Sequence, residues 1–378
     1  MAPLPAPTSD IGRLLTGEHL PIDRGNEGLP HVAQASQPAL PTIGRCARLT
    51  VPREVHPMHD LVVRLSVTAR CQLRCIYCLP EEAGGCACGG GQELPWRDLM
   101  RLVAALHDRF HVRRVRFTGG EPLLRRDLPD LIEAIAELGI PELAMTTNGQ
   151  LLAPRAAELR RRGLQRVNIS LDSLDPVRFG AISRGGNLAR TVEGIRAAQA
   201  AGLNPVKLNV VVLRGRNDGE VGDLLHFALQ TGCHVRFLEL MPIGVAASHW
   251  ATTWVGQDEI RARLKQPDLT WEEMPWFPQE TCRDWRVRDH TGRETVCGFI
   301  AAVSQPFCAS CRRVRITADG GLHGCLSCNV RHDLNPVLAA STAAEAGAKI
   351  HLLMLAAFGD KRTGDFADSV ESMCQVGG

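Results

Sequence analysis

The chain has 378 residues, of which 44% are hydrophobic and 22% charged, and its formal net charge is +2. This length allows one large domain or two ordinary ones, and the composition excludes a chain that is disordered throughout. The charge gives no electrostatic reason to expect nucleic acid or a membrane surface as a partner. The longest apolar run, Ile350 to Phe358, is too short to span a membrane.

The N-terminal segment predicts an unfolded extension rather than a targeting signal. It begins MAPLPAPTSD, which lacks the basic start and apolar core of a secretory signal. Residues 1–45 contain seven prolines and no aromatic residue, so we expect a flexible extension. Without export the protein stays in the reducing cytoplasm, where its 14 cysteines are expected to be metal ligands or free thiols.

Short β-rich runs alternate with amphipathic helical patterns between residues 46 and 245. The runs cover 61–68, 114–120, 142–149, 165–172, 206–213 and 234–241, and the helical patterns include 94–110, 127–138, 188–201 and 220–230. Strands joined by helices predict an α/β fold with a parallel sheet. Active sites in such folds lie at the C-terminal ends of the strands.

The alternation stops after Met241. Five of the six tryptophans lie between Trp250 and Trp285, which predicts a second region over residues 246–378. A helix is expected over 342–358, and the chain ends in Gly377 and Gly378.

A first cysteine cluster follows the first predicted strand. Cys71, Cys75 and Cys78 form a C-x3-C-x2-C pattern. Three thiolates in one loop can bind three irons of a [4Fe–4S] cube and leave the fourth iron open to a ligand that is not protein. The alternative is a zinc loop completed by a distant His or Cys. A glycine-rich segment at 117–125, FTGGEPLLR, ends the second strand and allows close approach of a ligand to the backbone.

A second cluster, Cys308, Cys311 and Cys325, has the spacing C-x2-C-x13-C. Cys328 would complete a zinc-ribbon pattern, so the spacing alone does not choose between zinc and iron–sulfur. A nearby pair of arginines, 313 and 315, alternates along a β-like run and therefore projects to one face. This pair favours an anionic ligand at a cluster, because guanidinium groups bind phosphate bidentately.

These motifs resemble the radical S-adenosylmethionine (SAM) superfamily and, within it, the GTP 3′,8-cyclase family of molybdenum cofactor biosynthesis. The resemblance runs from about residue 60 to the end and includes VRLSVTARCQLRCIYC, RFTGGEPLLRRDL, NISLDSL, RFLELMPIG and CRRVRITADGGLHGCL. It implies a partial (βα)6 TIM-type barrel over 46–245. It further implies a region over 246–378 that carries a second iron–sulfur cluster and a Gly-Gly tail.

The resemblance also implies roles for single residues. Cys71, Cys75 and Cys78 would hold the [4Fe–4S] cluster that binds SAM, and the second [4Fe–4S] cluster would be held by Cys308, Cys311 and Cys325. The residues implied to contact SAM are Tyr77, Gly120, Ser170 and Met241. Those implied to contact GTP are Arg64, Arg116, Thr147, Lys207, Arg313, Val314 and Arg315, and those implied at the catalytic centre are Arg313, Arg315, Gly377 and Gly378.

The remaining charged residues near these motifs have open roles. Lys207 lies in a β-run, where a buried charge needs a partner such as a triphosphate. Arg114 and Arg236 are further candidates for phosphate contact, with a salt-bridged role as the alternative. Glu121 is expected to organise the SAM loop rather than to act as an acid or base.

The implied reaction is the radical cyclisation of GTP, in which a 5′-deoxyadenosyl radical abstracts H3′ and C3′ then bonds to C8. The implied partners are a reductant of flavodoxin or ferredoxin type and cyclic pyranopterin monophosphate synthase as the next enzyme, and a homodimer is left open. The alternatives are another radical SAM enzyme with an auxiliary cluster, such as a peptide maturase, and a non-catalytic zinc or electron-transfer protein. Departures from the family pattern are Ala69 and Gln72, where Asp and Asn are common, and Cys86 and Cys88, which fit no pattern.

Overall fold

Twelve strands form one sheet in the part of the chain that the computed structural model describes, which comprises residues 58–80, 92–362 and 366. The expected extension over 1–45, Cys86, Cys88 and the pair Gly377 and Gly378 lie outside the described residues.

The first six strands are parallel neighbours in chain order. They are β1 (Leu61–Ser66), β2 (Val112–Thr118), β3 (Glu142–Thr147), β4 (Arg166–Ser170), β5 (Lys207–Val212) and β6 (His234–Glu239). In β5 the apolar residues at alternate positions, Leu208, Val210 and Val212, are buried, while Lys207 and Asn209 face the other side of the sheet. The predicted parallel α/β fold is confirmed.

Helices connect these strands and cover the outer face of the sheet. They are α1 (Trp96–Phe110), α2 (Leu128–Ala136), α3 (Ala156–Arg161), α4 (Pro176–Ser183), α5 (Leu188–Ala200) and α6 (Val221–Thr231), with a 3₁₀ turn at Pro122–Leu124. In α1 the buried residues Leu99, Leu102, Val103 and Leu106 recur every three to four positions, which produces one apolar face. Asp175 caps α4 by accepting from the backbone N–H of Arg178.

The strands that follow residue 245 continue the same sheet at both edges. After a 3₁₀ turn (Gly244–Ser248) the elements are α7 (Trp250–Thr253), α8 (Gln257–Leu264), β7 (Leu269–Glu273), β8 (Arg283–Asp289), β9 (Glu294–Ile300), β10 (Arg313–Ile316), β11 (Gly321–His323), β12 (His332–Asp333), α9 (Asn335–Leu338) and α10 (Ala343–Gly359). β9 pairs in parallel with β6, and β10 pairs in parallel with β1. The sheet order is β12-β11-β10-β1-β2-β3-β4-β5-β6-β9-β8-β7, so eight parallel strands lie at its centre. The boundary near 245 stays a prediction.

The sheet curves around its inner face, because residues from β10 across to β9 line one cavity. The apolar core lies between the outer face and the helices and includes the fully buried rings of Phe117, Phe227 and Phe237. In the described part of the chain, no helix has the length and apolar character that crossing a membrane requires.

Candidate active site

Both cysteine triads line the same cavity. Its wall includes Cys71, Cys75 and Cys78 together with Cys308, Cys311 and Cys325. The C-terminal end of β4 contributes Ser170, and the segments that follow β2 and β6 contribute Gly120 and Met241. The cavity therefore lies where sites of parallel α/β folds are expected.

The first triad lies in a loop that follows β1 and is fixed by backbone hydrogen bonds. The N–H of Cys78 donates to Cys75 O at 2.8 Å, and the N–H of Ile76 donates to Ile182 O at 3.0 Å, at the end of α4. Gln72, which departs from the family pattern, donates through Nε2 to Asn148 Oδ1 at 3.2 Å. Asn148 Nδ2 in turn lies 3.9 Å from Cys71 Sγ. Gln72 therefore takes part in the hydrogen bonding around a cysteine of the first triad.

The ring of Tyr77 is held by Asp172. The Tyr77 hydroxyl donates to Asp172 Oδ2 at 2.7 Å, and Asp172 Oδ1 accepts from the N–H of Val211 at 2.9 Å. Burial raises the pKa of Asp172 to about 6, against the two hydrogen bonds that lower it. This contact ties the cysteine loop to β5 across the cavity rim.

The Cys75 thiol of the first triad needs a positive partner to ionise. Burial raises the pKa of Cys75 well above its ordinary value, and the charges of Cys78 and Asp172 raise it further. A cationic iron centre bound by the three sulfurs removes this penalty, because thiolate coordination to a metal deprotonates the ligand. The donor set therefore fits an iron–sulfur cluster.

Two glycines let the end of β2 pack directly on the cysteine loop. A Cβ on Gly119 would lie 2.2 Å from Thr68 O, and a Cβ on Gly120 would lie 2.2 Å from Arg70 O. Instead, the N–H of Gly120 donates to Thr68 O and the N–H of Glu121 donates to Arg70 O, each at 2.8 Å. The glycines were predicted from the approach of a ligand, but the contact observed is with the loop backbone.

Glu121 organises this segment, as expected. Its carboxylate accepts from Thr147 Oγ1 at 2.7 Å, from the N–H of Asn148 at 2.8 Å and from the N–H of Leu123 at 3.1 Å. Burial raises its pKa to about 7, although the three hydrogen bonds act in the opposite direction. Thr147 lines the cavity, but its hydroxyl proton is already donated to Glu121.

The second triad faces the cavity, whereas Cys328 does not line it. Cys328 is buried, with 4% of its surface exposed, and lies outside the cavity wall. Among residues 58–80, 92–362 and 366, no three His, Cys, Asp or Glu side chains are grouped to hold one metal ion. The thiol arrangement alone therefore does not choose between zinc and iron–sulfur, and the three-cysteine ligand set stays a prediction.

Positive charge surrounds Cys311. Arg313 donates through Nε to Cys311 Sγ at 3.2 Å and stacks on the ring of Phe307 at 4.8 Å, and Lys361 Nζ lies 3.8 Å from the same sulfur. Burial would raise the pKa of Cys311, but the charges of Arg313 and Lys361 outweigh it and lower this pKa to about 6. Cys311 is therefore prepared as a thiolate ligand.

A row of adjacent arginines lines the same cavity. The strand register places Arg64 of β1 beside Arg315 of β10 and beside Arg116 of β2. Burial lowers the pKa of Arg64 and of Arg116 far below the ordinary value, and each is lowered further by its arginine neighbours. Among the described residues, the buried Nε of Arg116 has no hydrogen-bond partner. Like charges held together away from water are unfavourable without an anion, so this wall fits a polyanionic ligand.

Two residues implied to contact GTP do not line the cavity. Lys207 lies at the start of β5, where burial, Arg236 and Arg166 lower its pKa to about 7. The side chain of Val314 is fully buried and faces away from its two arginine neighbours. Both assignments stay predictions.

Arg114 and Arg236, the two further candidates for phosphate contact, differ in their surroundings. Arg236 lines the cavity, whereas Arg114 forms an ion pair with Glu142, with Nε 2.5 Å from Oε2. Sequence reasoning missed Asn209, which lies in the segment KLNVVV, and Lys361, which belongs to no motif, and both line the cavity.

Comparisons with known proteins agree with this site. Residues 65–228 match the Radical SAM superfamily, and residues 233–364 match Molybdenum Cofactor Synthesis C. The GTP 3′,8-cyclase of Heliobacterium modesticaldum is 42% identical over 289 residues, which cover 76% of this chain and 85% of the relative. The chain belongs to the GTP 3′,8-cyclase family. The family members of Pelotomaculum thermopropionicum and Listeria monocytogenes are 42% and 38% identical over 70% and 74% of this chain, and over 80% and 83% of their own lengths.

A solved structure supports the fold. The crystal structure of Streptococcus suis SuiB superimposes with a TM-score of 0.51 at 15% identity and covers 76% of this chain and 65% of that chain. Membership in the GTP 3′,8-cyclase family makes the protein a radical SAM enzyme with [4Fe–4S] clusters and SAM as cofactors. The non-catalytic zinc or electron-transfer alternative is thereby set aside.

Proposed function

We propose that the protein is a GTP 3′,8-cyclase, which converts GTP to (8S)-3′,8-cyclo-7,8-dihydroguanosine 5′-triphosphate in the first step of molybdenum cofactor biosynthesis. The observation that carries this proposal is the row of adjacent buried arginines that lines the same cavity as both cysteine triads. A nucleoside triphosphate is a ligand that guanidinium groups bind bidentately through its phosphates. Relatives that carry the GTP 3′,8-cyclase name match most of the chain.

The cysteine triads would hold the two clusters at opposite sides of the substrate. Cys71, Cys75 and Cys78 would hold the SAM cluster, and Cys308, Cys311 and Cys325 would hold the second one. Bound there, the SAM cluster and SAM would supply the one-electron radical chemistry that the cyclisation of GTP requires.

The chain's own residues position the reactants. Arg64, Arg116 and Arg315 would bind the triphosphate and so place the ribose against the first triad. Met241 offers an apolar surface for the SAM adenine, and Ser170 offers a hydroxyl. The arginines remain charged throughout, so their contribution is orientation and charge neutralisation rather than proton transfer.

The surroundings of the reaction are proposed from its chemistry. A flavodoxin- or ferredoxin-type protein would supply the electron, and cyclic pyranopterin monophosphate synthase would consume the product. No disulfide joins the ten cysteines of the described part of the chain, which suits the proposed reducing cytoplasm. A homodimer stays a prediction.

The test is anaerobic incubation of the reconstituted protein with SAM, GTP and dithionite, followed by mass spectrometry. We expect 5′-deoxyadenosine and cyclised GTP in equal amounts. Combining Arg64→Ala with Arg315→Ala should abolish the cyclised product and keep the visible absorbance of both clusters, because the proposed cluster ligands are the six cysteines and not these arginines.

The matched control is Arg312→Ala, which removes a neighbouring arginine that pairs with Asp60 and lies outside the cavity wall. This variant should retain product formation. Formation of 5′-deoxyadenosine without cyclised GTP in the wild type would refute the substrate assignment and leave the radical SAM chemistry intact. Loss of absorbance in the double variant would make the two arginines structural.

A further inference from the structure

Lys361 lies between the backbones that carry two cysteines of the second triad. Its Nζ donates to Arg313 O at 2.7 Å and to Gly324 O at 2.8 Å, and it lies 3.8 Å from Cys311 Sγ. The ring of Phe358, at the end of α10, covers the ammonium group at 4.7 Å. Lys361 follows α10 and lines the same cavity.

All three N–H groups of this ammonium have a partner within the protein. A lysine has three donors, and the two carbonyl oxygens and the sulfur accept them. None is left for a phosphate oxygen. Lys361 is therefore set apart from Arg64 and Arg315, which lie in the row of guanidinium groups along the cavity wall.

The two carbonyl oxygens belong to separate parts of the chain. Arg313 stands two positions after Cys311 in β10, and Gly324 directly precedes Cys325 after β11. The Lys361 side chain therefore links the two segments and fixes their distance. Hydrogen bonds from residues next to the ligands orient the ligands of a metal site in this way.

The charge of Lys361 has a second consequence. One-electron reduction of an iron–sulfur cluster adds negative charge, and a cation close to its sulfur ligands stabilises the reduced form. The effect is large in a site that is shielded from water, because the dielectric constant there is low.

We propose that Lys361 is a positioning residue of the second cluster, which joins the Cys311 and Cys325 segments and makes this cluster easier to reduce. The inference rests on the proposed assignment of Cys308, Cys311 and Cys325 as its ligands. It concerns the cluster before substrate binds, so it does not depend on the cyclisation itself.

The experiment is an EPR-monitored redox titration of the reconstituted full-length protein without SAM or GTP. The variants are Lys361→Gln and Lys361→Met, which remove the charge, and Lys361→Arg, which keeps it. A Cys71→Ala, Cys75→Ala, Cys78→Ala background shows the second cluster alone. We expect a more negative midpoint potential with Gln and Met, and a value near the wild type with Arg.

The control is Lys349→Gln, which removes a lysine charge from the same helix at a surface ion pair with Glu345. It should leave the midpoint potential unchanged. Loss of the second cluster with Gln and Met but not with Arg would also support the charge requirement. Loss with all three variants, or an unchanged potential with Gln and Met, would overturn the inference. A wild-type protein that binds only the first cluster would overturn the ligand assignment together with the inference. None of these outcomes depends on cyclase activity.

Discussion

At the scale of single residues, Gly120 controls how the cysteine loop packs against β2. The Cβ of Gly120→Ala would lie 2.2 Å from Arg70 O, a backbone atom that cannot move aside alone. We expect a loss of about 2 kcal/mol or more in the free energy of unfolding. We also expect the rate of SAM cleavage to fall at least about tenfold, because a rise of ~1.4 kcal/mol in the activation free energy already has that effect. Denaturant unfolding and 5′-deoxyadenosine formation measure the two effects.

Gly347→Ala is the matched control, because a Cβ at this helical glycine has no neighbour within 4 Å. It should stabilise α10 by about 0.5–1 kcal/mol and leave SAM cleavage unchanged. Equal behaviour of the two variants would contradict the role assigned to the close contact at Arg70.

The residues of the site differ in how far their position follows from the sequence. The first triad and Gly120 stand in short motifs beside a strand, so spacing alone predicts that they lie together. Lys361 stands outside every motif and reaches Cys311 because α10 returns the chain to β10 and β11. Two of its partners are backbone carbonyl oxygens, which every residue carries, so no residue type in the sequence predicts these contacts.

At the scale of elements, the side chains of β10 alternate between the cavity, where ligand binding is proposed, and the buried interior, where they pack. Arg313 and Arg315 face the cavity, whereas the side chain of Val314 is fully buried beside β1, opposite Val63. Val314→Ala should therefore lower the free energy of unfolding by about 2 kcal/mol, through lost burial and the space left behind. The KM for GTP should stay within about twofold of the wild type, because the Val314 side chain does not line the cavity.

Denaturant unfolding and steady-state kinetics provide the comparison. Arg315→Lys is a useful counterpart, since it keeps the charge on the same strand but loses the bidentate donor geometry. We expect that variant to raise the KM for GTP with little change in stability. A higher KM for Val314→Ala at unchanged stability would place the valine side chain in the binding site.

The periodicity of the sequence predicts where the first six strands lie, but it does not predict which later strands pair with them. The six predicted runs contain all or most of β1–β6, and the predicted helix over 342–358 coincides with α10 to within one residue. The pairing of β9 with β6 and of β10 with β1 was not predicted. Alternation shows that a segment fits a sheet, but it carries no information on which distant strand becomes its neighbour.

At the scale of the whole molecule, the net charge of +2 conceals an uneven distribution. Arg64, Arg116, Arg236, Arg313 and Arg315 all line one cavity, and the acidic residues that balance the total lie largely elsewhere. Composition alone therefore gives no sign of a polyanion site, although the folded chain concentrates six guanidinium groups in it, with Arg362 as the sixth. Without a bound anion, repulsion among these guanidinium groups lowers the stability of the folded protein.

GTP should consequently stabilise the reconstituted protein against heat. At a GTP concentration of about 100 times Kd, binding adds about 2.7 kcal/mol, which corresponds to a rise in Tm of about 5 °C for a protein of this size. Inorganic triphosphate should give most of this rise and guanosine little, because the arginine row recognises the phosphates. Anaerobic thermal unfolding with each compound in turn provides the measurement.

The variant that combines Arg64→Ala with Arg315→Ala separates the charge effect from recognition of the base. Removal of two adjacent cations relieves repulsion in the ligand-free protein, so its Tm without ligand should be at least that of the wild type. The same change removes phosphate contacts, so the rise on adding GTP should fall by more than half. An equal rise with guanosine and GTP in the wild type would mean that binding depends on the base, and the arginine row would then lose its role as a triphosphate site.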